Sequence, residues 1–180
     1  NTFFTAMAAS IRALSFPACT SATNVESTGG PGGISATFAE ALDKKLPDDS
    51  AEDSQSLLPL LRGQAPVAGA RAAVVHHSVE GRFAIREGKW KLILWPGSGG
   101  WSAPRPNSPE AKGLSPVQLY DLANDIGEQT NLQSQQPETV ARLTRLLERF
   151  VAEGRSTPGE PQSNTVPVDI WKAPREIKAK

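Results

Sequence analysis

The chain has little cysteine, few aromatic residues and no excess of charge of either sign. Its 180 residues include one cysteine and 6% aromatic residues, and 19 basic side chains balance 19 acidic ones. A single cysteine excludes an internal disulfide, so cysteine usage does not indicate a redox compartment. The balanced charge gives no field that would draw the protein to nucleic acid or to an anionic membrane. No apolar stretch approaches the roughly 20 residues that cross a bilayer, so we predict no transmembrane segment.

Residues 1–33 are predicted to be irregular. They are rich in Ser, Thr, Ala and Gly and end in a Gly-Gly-Pro-Gly-Gly cluster, which stops any regular element. Arg12 interrupts the mildly apolar start and no basic region precedes it, so this start makes a poor secretory signal and the location stays unknown. The chain also begins with Asn rather than Met, which suggests a fragment. A second irregular segment, the tail, is predicted over residues 160–180.

Residues 34–71 predict a short helix followed by a loop. Phe38 and Leu42 lie four residues apart, which is the spacing of one helix face. The pattern predicts an amphipathic helix over residues 35–45, with Ser35 as its N-cap and Pro47 ending it.

Residues 72–159 predict short strands followed by one long helix. Apolar and β-branched runs predict strands over 72–77 and 117–122, and Glu87-Gly88 predicts a two-residue hairpin turn between strands over 83–86 and 89–94. A helix should begin at Pro137 and end at Gly154. Its apolar stripe consists of Val140, Leu143, Leu146, Leu147, Phe150 and Val151. The predicted fold class is therefore α+β, a small antiparallel sheet with a C-terminal amphipathic helix packed on one face, flanked by irregular segments.

The strand over residues 89–94 should have one apolar and one basic face. Trp90, Leu92 and Leu94 share one side, while Lys89 and Lys91 point to the other and are expected to hold their ammonium groups in water. The following loop, over residues 96–116, is rich in Gly and Pro. A loop of this length is usually functional or disordered.

Several of these segments together resemble the C-terminal part of a sulfatase of the arylsulfatase type. They are Val-Val-His-His-Ser at 74–78, Phe-Ala-Ile-Arg-Glu-Gly-Lys-Trp-Lys-Leu at 83–92, Pro-Gly-Ser-Gly-Gly-Trp at 96–101 and Gln-Leu-Tyr-Asp-Leu at 118–122, with Asp125, Glu128, Asn131 and Leu132 behind them. A Leu-Leu-Pro-Leu-Leu-Arg-Gly run at 57–63 precedes them. The resemblance covers about residues 34–172. It implies a sulfatase C-terminal subdomain over 72–159, joined by the helix and loop over 34–71 to a catalytic domain that this sequence lacks.

The resemblance implies a parent enzyme that hydrolyses a sulfate ester to an alcohol or phenol plus sulfate. Its substrate would be a sulfated small molecule or glycan, and its location is often periplasmic or secreted. Such enzymes use a formylglycine, made from the Cys or Ser of a Cys/Ser-x-Pro-x-Arg segment, and a divalent metal, usually calcium. Cys19 lacks both the Pro two residues on and the Arg four residues on, so we interpret it as an incidental thiol. We therefore expect no catalytic residue and no cofactor in this chain.

The acidic residues suggest no metal site either. Asp48, Asp49, Glu52 and Asp53 form a cluster without an EF-hand pattern, and a solvated loop is the simpler interpretation. The acidic and amide residues from Asp121 to Asn131 are expected to form a turn and to cap nearby backbone groups.

His76, His77 and Trp101 are the candidate substrate-binding residues. Adjacent strand residues point to opposite faces, so one histidine should face a cleft and the other the packing side of the sheet. A rim histidine would contact the sugar or aryl part of a substrate; the alternative is a satisfied, half-buried strand histidine. Trp101 fits either a ring that stacks on a sugar or one that caps the hydrophobic layer. Arg82 and Arg86 fit either anion binding or ordinary solvated cations.

Two further functions stay open beside an inactive sulfatase part. One is a stand-alone carbohydrate- or protein-interaction module derived from the subdomain. The other is a truncated or frame-disrupted gene product, motivated by the abrupt end of the resemblance near Ile34.

Overall fold

A computed structural model describes residues 33–64, 71, 73–105 and 108–172. The predicted irregular segment before Gly33, with Cys19, and the last eight residues of the predicted tail lie outside the described residues. The chain divides into two compact units, residues 1–70 and residues 71–180. The finer four-part division drawn from the sequence stays a prediction.

The described residues of the first unit form two short helices, α1 (Ile34–Ala41) and α2 (Leu58–Leu61). Side chains from outside and inside α1 satisfy backbone groups: the Ser54 hydroxyl accepts from the Ala36 N–H at 2.9 Å, and the Thr37 hydroxyl accepts from the Leu57 N–H at 2.8 Å. The predicted N-cap was wrong, because the cap position is Gly33 and no side chain caps it. Ser54 supplies an acceptor from 18 residues away, so no local cap is needed.

Helix α1 is also shorter than predicted and its apolar stripe is not covered. The helix ends at Ala41, and the backbone turns away at Asp43, whose φ is +54°. Phe38 and Leu42 are 56% and 60% exposed. The spacing therefore predicted the helix correctly, but its apolar face has no cover among the described residues.

The second unit contains a four-stranded antiparallel sheet in the order β1-β2-β3-β4. The strands are β1 (Val74–His77), β2 (Phe83–Glu87), β3 (Trp90–Ile93) and β4 (Gln118–Asp121). Each strand pairs with its neighbour in sequence, so the sheet is a simple meander. The central row across it, Val75–Ile85–Leu92–Leu119, is continuous from β1 to β4.

The β2–β3 hairpin turns one residue later than predicted. Glu87 pairs with Trp90, so Gly88 and Lys89 form the turn instead of Glu87 and Gly88. Gly88 has a φ of +55° and stands at the first turn position, where a positive φ favours glycine. The position of glycine therefore decides the register.

Helix α3 (Pro137–Glu153) packs across one face of the sheet, as predicted. Gly154 ends it in the left-handed conformation, with a φ of +64°. Leu143, Leu147 and Phe150 are buried, and they join Ile85, Leu92 and Leu119 in one hydrophobic core. Each such side chain contributes roughly 1.5–3 kcal/mol by leaving water. The predicted α+β fold class and the apolar stripe of this helix are confirmed.

The long loop between β3 and β4 contains one short 3-10 turn, Pro109–Ala111. Its glycines approach other segments closely: a Cβ on Gly99, whose φ is +67°, would lie 3.0 Å from the side chain of Ser78. The first part of the loop is therefore held against the end of β1.

We predict that Leu143→Ala lowers the free energy of unfolding by roughly 2–5 kcal/mol, because the side chain is fully buried and its removal leaves a cavity. The measurement is urea unfolding followed by far-ultraviolet circular dichroism. Arg145→Ala on the exposed side of the same helix is the control and should change this free energy by less than about 0.5 kcal/mol. Equal effects of the two substitutions would show that α3 does not cover the core.

Candidate functional site

The sheet has an apolar face and a polar face. Ile85, Leu92 and Leu119 lie opposite one another and point to α3, where each is fully buried. Their strand neighbours point the other way, since side chains alternate along a strand. His76, Arg86 and Lys91 therefore share the face turned away from α3.

This polar face forms the floor of a cleft of about 420 Å³, which we call the basic cleft. Its polar lining includes His76, Arg82, Arg86, Lys91, Ser98 and Glu128. Ala84 and Ile93 give it an apolar patch, and Gly99 brings the loop after β3 to its edge. A volume of this order is within the roughly 300–1,000 Å³ typical of small-ligand sites.

Two of the three cationic side chains in the cleft, Lys91 and Arg82, interact with other groups of the protein. Lys91 Nζ lies 2.5 Å from Glu128 Oε1. The Arg82 guanidinium lies 3.3 Å from the centre of the Trp95 ring and donates to the carbonyl of Lys172. Their ammonium and guanidinium groups are therefore held in place.

Arg86 is the exception. Its Nε donates to the carbonyl of Gly88 at 3.1 Å, and no carboxylate of the described residues forms an ion pair with it. Its charge is therefore not neutralised by any of the described residues.

His76 is a neutral imidazole near pH 7. Burial lowers its pKa below the ordinary value of 6.5, and the positive charges of Lys91, Arg86 and Arg71, with His77, lower it further. As the pH falls, the His76 ring takes up a proton in the unfolded chain before it does so in the folded chain. The contribution of neutral His76 to the free energy of unfolding is therefore fully present above pH 6.5 and decreases as the pH drops below that value.

His77, at the end of β1, is exposed, and both histidines line the basic cleft, so the predicted division between a cleft side and a packing side is not observed. Its ring meets the Phe83 ring edge-on, with centroids 4.3 Å apart and planes at 70°. Burial, followed by the charge of Lys172, lowers its pKa. His77 also borders the basic cleft and a second cleft of about 480 Å³, whose other wall is the segment 166–169.

Trp101 does not join the histidines in the basic cleft. It is 81% exposed, and its carbonyl accepts from Arg105 Nε at 3.0 Å. The prediction that its indole caps the hydrophobic layer is wrong, because the loop holds the ring in solvent. Stacking on a sugar stays a prediction.

Lys89, in the turn before β3, and Lys91, in β3, are both ion-paired, an interaction that the expectation of ammonium groups in water did not include. Lys89 Nζ lies 2.6 Å from Asp121 Oδ2, and this hydrogen bond is the main cause that lowers the pKa of Asp121. Lys91 pairs with Glu128 in the same way. Their carboxylate partners follow in the Asp121–Asn131 region, whose contacts sequence spacing did not show.

That acidic and amide region forms a turn, as predicted. The carboxylate of Asp125 accepts from the N–H groups of Gln129 and Thr130, both at 2.8 Å to Oδ2. The amide of Asn131 accepts from the Leu119 N–H at 2.9 Å and donates to the Val117 carbonyl at 3.1 Å. These bonds fix the chain that carries Glu128 to the basic cleft.

Among the described residues no group of three or more His, Cys, Asp or Glu is placed to hold a metal ion. No Cys/Ser-x-Pro-x-Arg segment occurs in the 180 residues. None of the helices in the described ranges is long and apolar enough to cross a membrane.

Comparison with known proteins finds similarity to a sulfatase over part of this chain. The chain is 35% identical over 118 residues to an N-acetylgalactosamine-6-O-sulfatase of Bacteroides thetaiotaomicron, which is 64% of this chain and 22% of that protein. The chain is a sulfatase homologue over part of its length. It spans about a fifth of the curated sulfatase that it matches, and no protein-family model matches it.

Solved structures give further similarities to this sulfatase homologue. One, from work on glycosaminoglycan metabolism by Bacteroides thetaiotaomicron, is 34% identical, with a TM-score of 0.49 over 65% of this chain and 24% of that chain. Another, a protein solved with its substrate D-glucosamine-2-N,6-O-disulfate, is 21% identical, with a TM-score of 0.47 over 65% of this chain and 22% of that chain.

We predict that Lys91→Met raises the pKa of His76 towards 6.5, because it removes a positive charge beside the ring and releases the Glu128 carboxylate from its ion pair. The measurement is a proton NMR titration of the two histidine rings. His77 is an internal control, since its pKa responds to burial and Lys172 and should not move. A pKa of His76 that does not change would show that Lys91 does not act on this ring.

Proposed function

We propose that this chain is part of a sulfatase and that residues 72–159 shape the entrance to its substrate pocket. The reaction of the whole enzyme is hydrolysis of a sulfate ester to an alcohol or phenol and sulfate. The observation that carries this proposal is the 35% identity to N-acetylgalactosamine-6-O-sulfatase over 118 residues.

The chain by itself is inactive in this proposal. The formylglycine needs a Cys/Ser-x-Pro-x-Arg segment, which the sequence does not contain. The described residues do not fit a calcium site, because a hard cation needs six or more oxygen ligands and no cluster of acidic or histidine side chains is placed to hold one. We therefore assign the formylglycine and the metal to a catalytic domain outside these 180 residues.

The contribution of this chain is to bind and orient the substrate. His76 faces the basic cleft as a neutral imidazole, which donates through one ring nitrogen and accepts through the other. It suits the hydroxyl groups of a sugar. His77 at the border of the cleft and Trp101 on the exposed loop are the other two substrate-binding residues that we propose.

The exposure of Trp101 also favours a second candidate function, a stand-alone carbohydrate- or protein-interaction module. An indole that is 81% exposed on a loop offers a flat apolar surface for a sugar ring. In this alternative the chain binds glycans without any catalytic partner.

We predict that the purified chain does not release sulfate from an aryl sulfate, with or without calcium, above a heat-treated control.

The same chain should support hydrolysis when it is joined to a sulfatase catalytic domain. In a chimera, the matching stretch of this chain replaces the 118-residue stretch of the curated N-acetylgalactosamine-6-O-sulfatase. We expect hydrolysis of N-acetylgalactosamine 6-sulfate by the chimera. In it, His76→Ala should raise KM about 10-fold, equivalent to about 1.4 kcal/mol for a lost hydrogen bond.

Arg145→Gln in the same chimera is the control, because Arg145 is exposed on α3 and outside the clefts. Turnover by the isolated chain would contradict its inactivity. A folded chimera without turnover would contradict the proposed role.

We predict that a glycan array separates the two functions. If the chain is a stand-alone module, the isolated chain binds specific glycans and Trp101→Ala abolishes that binding. Array binding that survives Trp101→Ala, or an array without signal, would count against the module.

A further inference from the structure

The charges of the basic cleft do not balance. Arg82, Arg86 and Lys91 bring three positive charges to its lining, and Glu128 brings one negative charge. His76 adds no charge near pH 7, because burial and the same cations lower its pKa. Glu80, at 3.9 Å from Arg82, is the only other carboxylate that pairs with these three cations among the described residues.

The unbalanced charge is concentrated on Arg86. Lys91 is neutralised by Glu128, and Arg82 is held between Trp95 and the Lys172 carbonyl. Within the described residues only the Nε of Arg86 has a protein acceptor, so the two Nη nitrogens remain for a ligand. A guanidinium presents its N–H groups as a planar fork that matches two oxygens of one anion.

The surroundings of Arg86 suit a sugar better than a bare ion. Ala84 and Ile93 supply an apolar patch in the same cleft, and Ser98 and Gly99 close one edge of it. His76 stands beside this patch, since it pairs with Ala84 across the β1–β2 ladder and Ala84 pairs with Ile93. An apolar surface with a few polar groups around it is the usual composition of a small-ligand site.

We propose that the basic cleft is a binding site for a sulfated sugar, in which Arg86 binds the sulfate ester group and His76 bonds to a neighbouring hydroxyl. This site contains no hydrolytic group, so the sulfate held there is not the one that is cleaved. The proposal rests on the proposed function for the class of ligand. It makes the preferred substrate a glycan with more than one anionic substituent.

Binding is measured on the full 180-residue chain by proton–nitrogen NMR titration at low salt. The probes are N-acetylgalactosamine 6-sulfate, unsulfated N-acetylgalactosamine and sodium sulfate. We expect saturable binding of the sulfated sugar, at least five-fold weaker binding of sodium sulfate, and no binding of the unsulfated sugar. The pKa of His76 should rise when the sulfated sugar binds, because a nearby anion favours the imidazolium; the charged groups facing this ring are Lys91, Arg86 and Arg71, with His77 and Glu128 beside them.

Arg86→Gln should weaken binding of the sulfated sugar at least five-fold. Arg145→Gln removes the same charge from the exposed side of α3 and should leave the affinity within two-fold. In the unaltered chain the largest shift changes should fall on Arg86, His76 and Gly99. This map tests the site even if Arg86→Gln does not fold.

Three results would overturn the proposal: no saturable binding of the sulfated sugar, the same loss from both arginine variants, or a shift map centred outside the cleft. If sodium sulfate binds as tightly as the sulfated sugar, the proposed contact between the cleft and the sugar ring is wrong. If the chimera turns over substrate but the 180-residue chain binds no sulfated sugar, only the proposed binding site is contradicted. If the chain binds the sugar but the chimera has no turnover, only the proposed function is contradicted.

Discussion

The hydrophobic layer between α3 and the sheet is the constraint on which the second unit depends. Ile85, Leu92 and Leu119 come from three strands, and Leu143 and Leu147 from the helix, and all are nearly or fully buried. Because side chains alternate along each strand, this layer fixes the direction of every neighbouring residue. A register shift of one residue would move the apolar row into solvent. The same shift would turn His76, Arg86 and Lys91 into the core, so core packing and the basic cleft are two results of one register.

The sequence predicted the structure correctly where the spacing of apolar residues determines which face of a helix or strand is buried. The stripe on α3, the alternation on β3 and the left-handed Gly154 follow from spacing and from backbone conformations that single residues favour. The predicted hairpin turn was one residue too early, because glycine is common at the second position of a two-residue turn and Glu87-Gly88 fits that pattern. The structure instead places Gly88 first in the turn, where its positive φ is used.

The candidate site was only partly predictable for a related reason. Alternation predicted opposite faces for His76 and His77, but both residues border the basic cleft. It does not show that Lys91 meets Glu128, 37 residues later in the chain, or that Arg82 stacks on Trp95. These contacts depend on how loops return to the sheet, and so does the exposure of Trp101. Arg86 has no ion pair with a carboxylate of the described residues, and only the structure shows this, since it also shows the partners of Lys91 and Arg82.

Asn131 has a consequence for the outer side of β4. Its side-chain amide accepts from the Leu119 N–H and donates to the Val117 carbonyl, and the Leu132 N–H donates to the Leu119 carbonyl. These are the bonds that an added strand would make. An unprotected sheet edge is a template for pairing with another chain. Asn131 and Leu132 together occupy these groups and so protect this part of the β4 edge from strand addition and from growth into a larger intermolecular sheet.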